Sequence, residues 1–147
     1  LPEPRRGLID AALARSATHR ERIAVVPEER GRHAITRYAV EATYPPGADP
    51  AASLVRCVLE TGRTHQIRVH MAHVRHPLLG DPLYGAGFRT KASRLPEPAR
   101  DALAGLGRQA LHATLLQFSH PATGNIMRFE SPLPPDLEAL RLALQHG

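Results

Sequence analysis

The order of hydrophobic and polar residues predicts strands in the first part of the chain. Residues 34–44 mix β-branched and aromatic residues with polar ones, and residues 54–60 form a more apolar run after a Pro- and Gly-rich turn. Two such runs around a turn are typical of a β-hairpin. Residues 7–15 fit either a short helix or a strand, and residues 16–33 are polar and basic, which indicates a surface excursion.

The period of the pattern changes to that of a helix after residue 60. Ile67, Met71 and Val74 recur at helical spacing, and Thr64 stands where its hydroxyl can cap the helix start. His76 precedes Pro77, so the helix should end near there. We therefore expect an amphipathic helix that places its apolar side in the core.

The second half of the chain predicts a helix, a hairpin and a final helix. Residues 87–109 resemble a variable loop that carries a short helix, and two strand-like runs follow around the turn at residues 122–124. Asp136 is placed to cap a last amphipathic helix with an apolar stripe formed by Leu137, Leu140 and Leu144. The whole order predicts an α+β domain with a largely antiparallel sheet.

Composition supports one globular domain. The chain has 147 residues, of which 42% are hydrophobic and 22% charged, values far from those of disordered chains. No apolar stretch is long enough for a membrane span and no signal peptide is recognisable, so we expect a cytoplasmic location. The single Cys57 lies in an apolar run, where a small buried hydrophobe is the simplest interpretation. The start at Leu1, on a Pro-rich segment, suggests a fragment of a longer protein.

The charge balance favours a polyanionic partner. Basic residues outnumber acidic ones by 19 to 14, and Lys91 is the only lysine among them. Arginine has a planar fork of five donors that suits phosphates and base edges. No GxGxxG or P-loop sequence is present, which argues against a doubly wound nucleotide-binding fold.

The segment TGRTHQIRVHMAH at residues 61–73 concentrates the candidate chemistry. His70, His73 and His76 recur every third residue after His65, which raises the possibility of a zinc site or a metal-dependent hydrolase. Helical zinc ligands are usually four residues apart with a general-base Glu between them, and that pattern is missing. We therefore predict no metal, and no serine or cysteine nucleophile is evident.

Two alternatives remain for the segment from its residues alone. Arg63 at the helix entrance and Arg68 one turn later, with helix N-terminal amides, could bind phosphate oxygens. His65 would lie on the same side of the helix as Arg68. The same pattern also fits a merely solvated polar face.

A longer stretch, LETGRTHQIRVHMAHVRHPLLGDPLYG, resembles the C-terminal signature of the RluA-type family of RNA pseudouridine synthases. The resemblance continues through RQALHATLLQFSHPATG and SPLP, and it includes RIAVV and AITRYAV upstream. It covers nearly the whole chain, and it is greatest for the branch that modifies large-subunit ribosomal RNA, the D type.

The resemblance implies a pseudouridine synthase fold and RNA as partner. Such enzymes convert uridine to pseudouridine without a cofactor, on a nucleotide flipped out of its stack. Their essential aspartate belongs to an HRLD-type motif that is not in this sequence. We therefore expect residues 1–147 to be the C-terminal part of the catalytic domain, without the N-terminal catalytic half or an S4-type RNA-binding domain. Such a piece should be monomeric and inactive alone.

The resemblance assigns a role to one arginine. Arg68 best matches the ion-pair partner of the family's catalytic aspartate, with Arg63 as the runner-up. Asp81 matches a loop position in the family and is expected to shape a turn. The expected RNA-binding residues are Arg63, His65, Gln66, Arg68, Arg108 and His112.

Two other functions compete with this interpretation. A non-catalytic RNA-binding module would use the same basic face without chemistry. A metal-dependent hydrolase would use His65, His70, His73 and His76, and stoichiometric zinc in the purified chain would favour it.

Overall fold

The computed structural model describes residues 1–47, 49–88 and 92–146, and every strand pairing among them is antiparallel. Lys91 and its two predecessors, within the predicted variable loop, lie outside the described residues. The elements are β1 (Arg6–Asp10), β2 (Leu13–Arg15), β3 (Ile23–Val25), β4 (Ile35–Tyr44), β5 (Ala52–Leu59), α1 (Gln66–His73), α2 (Glu97–Leu106), β6 (Leu115–Ser119), β7 (Ile126–Glu130) and α3 (Pro135–His146), with 3-10 turns at Glu28–Arg30 and Ala86–Phe88.

A three-stranded sheet in the order β1-β4-β5 forms the centre of the first half. The predicted hairpin is confirmed, with Tyr38 opposite Cys57 and a β-bulge between Val40 and Ala42. β1 resolves the ambiguity of residues 7–15 in favour of strands. A Cβ on Gly7 would lie 2.7 Å from the Tyr38 hydroxyl, so glycine at this position lets the tyrosine cross β1.

The segment predicted as a surface excursion contains a strand, and that prediction was wrong in this part. β3 pairs with β2 in a two-stranded sheet, with Leu13 opposite Val25. Leu13 is buried with Ala34 and Val69 in a small core. Three residues are too few for a period to be read from the sequence, which is why the strand was missed.

The main apolar core lies between the last two helices and the end of β4. Leu137, Leu140 and Leu144 are all buried, which confirms the predicted stripe of α3. They pack with Ala99 and Leu106 of α2 in the same cluster. The final helix begins one residue before the expected cap, so that its acidic residue lies inside the first turn.

β6 and β7 form a separate hairpin that exposes apolar side chains. Leu116 and Phe129 each keep more than half of their surface in solvent, and Phe118 stacks on Phe129 with ring centroids 6.0 Å apart. The α+β class is confirmed, but the described strands form three small sheets rather than one. No helix in the described part of the chain is long and apolar enough to cross a membrane.

Candidate active site

The loop between β5 and α1 is fixed by the amide of Gln66. Its Oε1 accepts hydrogen bonds from the Thr61 hydroxyl at 2.8 Å and the Arg63 backbone N–H at 3.0 Å. Its Nε2 donates to the Ile35 carbonyl at 2.9 Å and to Thr36 Oγ1 at 3.0 Å. Because Gln66 is buried and its amide is fully used within the chain, it shapes the loop that carries Arg63.

Helix α1 starts differently from the prediction. Thr64 makes no capping hydrogen bond; the N-cap residue is His65, in the left-handed conformation with φ 55°. The predicted orientation of the helix was also wrong in one respect. Met71 is buried as expected, but Arg68, assigned to the polar side, is buried too, because this helix is covered on more than one face.

Arg68 is bound to Asp81 by a side-on pair of hydrogen bonds. Arg68 Nε donates to Asp81 Oδ2 at 2.7 Å, and Nη2 donates to Oδ1 at 2.9 Å. The arginine side chain keeps 9% of its surface exposed and the aspartate none. The carboxylate partner of Arg68 was predicted to lie outside this chain, whereas Asp81 provides a carboxylate 13 residues away.

Asp81 shapes a turn, as predicted. Its Oδ1 also accepts hydrogen bonds from the backbone N–H groups of Leu83 at 2.9 Å and Tyr84 at 3.0 Å. Burial, the largest single influence, raises the pKa of the carboxyl, but the hydrogen bonds from Arg68 and the two amides together outweigh it. The pKa of Asp81 therefore lies below its usual value, and the group is a carboxylate at neutral pH.

Arg68 is ionised for a related reason. The hydrogen bond to Asp81 is the main influence that raises the pKa of its guanidinium, against the opposing effect of burial. The guanidinium carbon also lies 5.0 Å from the centroid of the Tyr84 ring, a distance typical of a cation–π contact. The cation is thus held at neutral pH by one carboxylate and one aromatic face.

Tyr84, which was not predicted from the sequence, links this pair to the rest of the site. Its hydroxyl accepts a hydrogen bond from the Ile23 backbone N–H at 2.9 Å and lies 2.9 Å from His65 Nδ1. The hydroxyl can donate its proton to that nitrogen, which requires a neutral imidazole. Burial is the main cause that lowers the pKa of His65, and the nearby Arg68 adds to it. The D-x-x-Y spacing in GDPLYG was the available signal.

A shallow cavity of about 350 Å³, largely open to solvent, lies beside these side chains. Its lining residues are Leu59, Arg63, His65, Gln66, Ile67, Arg68, Gln109 and Leu111. Arg63 Nε donates to the His33 carbonyl at 3.1 Å, so this guanidinium is fixed at the exposed edge of the site. Four of the six sequence-predicted residues therefore meet at one cavity.

The two remaining predicted residues are placed elsewhere. The Arg108 guanidinium donates to both carboxylate oxygens of Asp136, at 2.9 to 3.2 Å. His112 is bound through Nε2 to the Ser131 carbonyl at 3.1 Å. Neither lines the cavity at Arg68, although their neighbours Gln109 and Leu111 do.

The histidines of α1 do not converge on one point. His70 is fully buried: its Nε2 lies 2.9 Å from the Ala11 carbonyl and its Nδ1 lies 2.8 Å from Thr36 Oγ1. Within the described ranges, no three His, Cys, Asp or Glu residues are grouped as metal ligands would be. The Cys57 thiol is a poor nucleophile, because burial raises its pKa to about 11.

Comparisons with known proteins agree on one kind of protein. Residues 1–73 match the family model described as RNA pseudouridylate synthase. A protein of Nitrosomonas europaea named ribosomal large subunit pseudouridine synthase D is 46% identical over 95% of this chain and 37% of its own length. The protein of the same name from Vibrio cholerae is 42% identical over 95% of this chain and 40% of its own length.

The fold has a counterpart among solved structures. Human RNA pseudouridylate synthase domain containing 1 superposes with a TM-score of 0.71 and 26% sequence identity, over 99% of this chain and 55% of the human one. The chain thus corresponds to about two fifths of each bacterial relative described above.

Proposed function

This chain belongs to the RNA pseudouridylate synthase family, of the RluA type, and on that premise we propose that the complete protein carrying it converts uridine to pseudouridine in large-subunit ribosomal RNA. The observation that carries the proposal is the geometry of Arg68. One edge of its guanidinium is held by Asp81, while Nη1 donates no hydrogen bond to any described residue and the side chain lines the cavity.

The proposed reaction requires a nucleophilic carboxylate that Arg68 can orient. The bond between uracil N1 and ribose C1′ breaks, the base turns, and a bond from C5 to C1′ forms. C5 loses its proton to solvent and N1 gains one, so that the product is an isomer of the uridine. We assign the catalytic aspartate of the family to a part of the protein outside these 147 residues. Asp81 is unsuited to that role, because its side chain has no exposed surface and both oxygens already accept hydrogen bonds.

Arg68 acts on that aspartate through Nη1. A guanidinium is always charged, so it keeps a nearby carboxylate ionised and fixes its direction. Arg63 is the runner-up, since it lies at the same cavity but at its exposed edge. This position suits a phosphate contact better than a buried ion pair.

RNA contacts extend outward from this cavity. Arg63 and His65 lie at the cavity itself, and Arg108 and His112 contribute farther along the surface. Arg108 contributes less charge than the sequence suggested, because Asp136 neutralises it. The protein is proposed to act as a cytoplasmic monomer without a cofactor.

The experiment is release of tritium from RNA labelled at uridine C5, since the new C5–C1′ bond displaces that atom. The complete protein should release tritium from large-subunit ribosomal RNA, and the 147-residue chain alone should release none. Arg68→Ala should nearly abolish release. Arg141→Ala, which breaks an ion pair with Glu138 on α3, is the matched control and should keep activity.

Other outcomes identify the competing functions. RNA binding by the complete protein without tritium release would indicate a non-catalytic module. Stoichiometric zinc in the purified protein would favour the hydrolase. Near-normal release by Arg68→Ala, together with loss in Arg63→Ala, would transfer the assigned role to Arg63.

A further inference from the structure

The Arg68 guanidinium is fixed along one edge only. Its Nε and Nη2 groups face Asp81, at 2.7 and 2.9 Å. Two parallel hydrogen bonds at two different nitrogen atoms define both the plane of the guanidinium and its rotation within that plane. The direction of Nη1 is consequently set by the position of the Asp81 carboxylate.

Asp81 is in turn positioned by the backbone rather than by Arg68 alone. The amides of Leu83 and Tyr84 both donate to its Oδ1. Gly80, immediately before it, has φ +73°, and a Cβ at that position would lie 2.4 Å from the Arg108 carbonyl oxygen. The turn therefore sits directly against the chain at residue 108, which fixes where the carboxylate can be.

Tyr84 packs against the face of the Arg68 guanidinium. Its ring lies 5.0 Å from the Arg68 guanidinium carbon, and its hydroxyl is fixed by the Ile23 amide and by His65. Asp81 thus binds the edge of the Arg68 guanidinium, and Tyr84, from the same turn, packs against its face.

From this geometry we infer that Asp81 is a positioning residue for the pseudouridine-forming reaction: it aims Arg68 Nη1 into the cavity and does not itself touch RNA. The inference rests on the proposed function. Asp81 acts through Arg68, because its own side chain has no exposed surface. A misplaced guanidinium would leave the nucleophile poorly oriented in the transition state while RNA binding persists.

The test uses Asp81→Asn in the complete protein. An asparagine oxygen can still accept from the amides of Leu83 and Tyr84, so the turn is kept. Its amide nitrogen replaces Oδ2 and cannot accept from Arg68 Nε, so one of the two hydrogen bonds and the negative charge are lost, and Nη2 alone no longer fixes the plane of the guanidinium. We expect kcat for tritium release to fall about a hundredfold, with the KM for RNA close to that of the wild type.

The matched control is Glu138→Gln, which makes the same chemical change in a half-exposed pair with Arg141 on α3. It should leave kcat unchanged. The second arm repeats Asp81→Asn in an Arg68→Lys background. Lysine lacks the fork that Asp81 holds, so the aspartate substitution should lower kcat far less there than in the wild type.

The outcomes separate this inference from the proposed function. Normal kcat in Asp81→Asn, or an equal fold-loss in both backgrounds, would overturn the positioning role while wild-type activity upheld the proposed function. An inactive wild type would overturn both. If Asp81→Asn does not fold, Asp81→Glu tests the positioning role instead, because it keeps the charge but shifts the carboxylate. A kcat loss of about tenfold or more in Asp81→Glu supports the inference, whereas full activity refutes it.

Discussion

The hydroxyl of Thr36 is predicted to be one of the most stabilising polar groups in the chain. Thr36 and His70 are both fully buried. The Ala11 carbonyl can only accept, so His70 Nε2 carries the proton and its Nδ1 accepts from the Thr36 hydroxyl. Thr36 Oγ1 in turn accepts from Gln66 Nε2. Donors and acceptors therefore match along the whole series from Gln66 to Ala11.

Thr36→Val keeps the shape of the side chain and removes the hydroxyl. Two buried groups lose their partner, His70 Nδ1 and one N–H of Gln66, at about 1–3 kcal/mol each. The added methyl group recovers about 0.8 kcal/mol at most. The free energy of unfolding should fall by about 1–5 kcal/mol.

The assay is equilibrium urea unfolding of the complete protein, followed by circular dichroism. Thr43→Val is the matched control, since Thr43 lies on the same strand, is only half-buried and has no described side-chain hydrogen bond. Its effect should stay within about 0.5 kcal/mol. Equal stability of the two variants would refute the reasoning that the Thr36 hydroxyl connects a satisfied buried network.

Three further predictions concern stability. Burial is the main cause that lowers the pKa of His70 from 6.5, so the contribution of the neutral imidazole to the free energy of unfolding is complete above pH 6.5 and is lost as the pH falls towards the folded-state pKa. Urea unfolding across that range should show a flatter pH dependence for His70→Gln than for the wild type, and an unchanged slope would contradict this. Leu140→Ala should cost about 2–5 kcal/mol in the same assay, whereas Leu142→Ala, at a position 41% exposed, should cost little; equal losses would refute the assigned core. Gly80→Ala should lower the melting temperature, because Gly80 has a positive φ and lies close to the Arg108 carbonyl. Gly105→Ala, inside α2 with open space around it, should raise the melting temperature slightly. A higher melting temperature for Gly80→Ala than for Gly105→Ala would contradict the turn geometry.

The sequence predicted an element well where a regular pattern of residues extended over its whole length. The leucine stripe of α3 buries a continuous face, and β4 is the central strand of its sheet, with most of its side chains half-buried. Both elements were predicted within a few residues of their observed bounds. β3 is too short to carry a readable period. The start of α1 was misplaced because His65 adopts a left-handed conformation, which is uncommon for a residue other than glycine and which the local sequence did not indicate.

The candidate site was only partly predictable for a similar reason. The family resemblance identified Arg68, and the structure places it at the cavity with three of the other predicted residues. Its pairing with Asp81 crosses a helix end and a Pro- and Gly-rich loop, so no spacing rule indicates it. Arg108 was expected to be among the RNA-binding residues, and only the structure reveals the Asp136 carboxylate beside it.

The most direct test of the central claim is an experimental structure of the complete protein that resolves the surroundings of Arg68. We predict that Nε and Nη2 remain on Asp81, while Nη1 lies within about 3 Å of a carboxylate oxygen from a residue outside these 147. A guanidinium whose Nη1 faces only solvent or other groups of this chain, with the catalytic aspartate elsewhere, would contradict it.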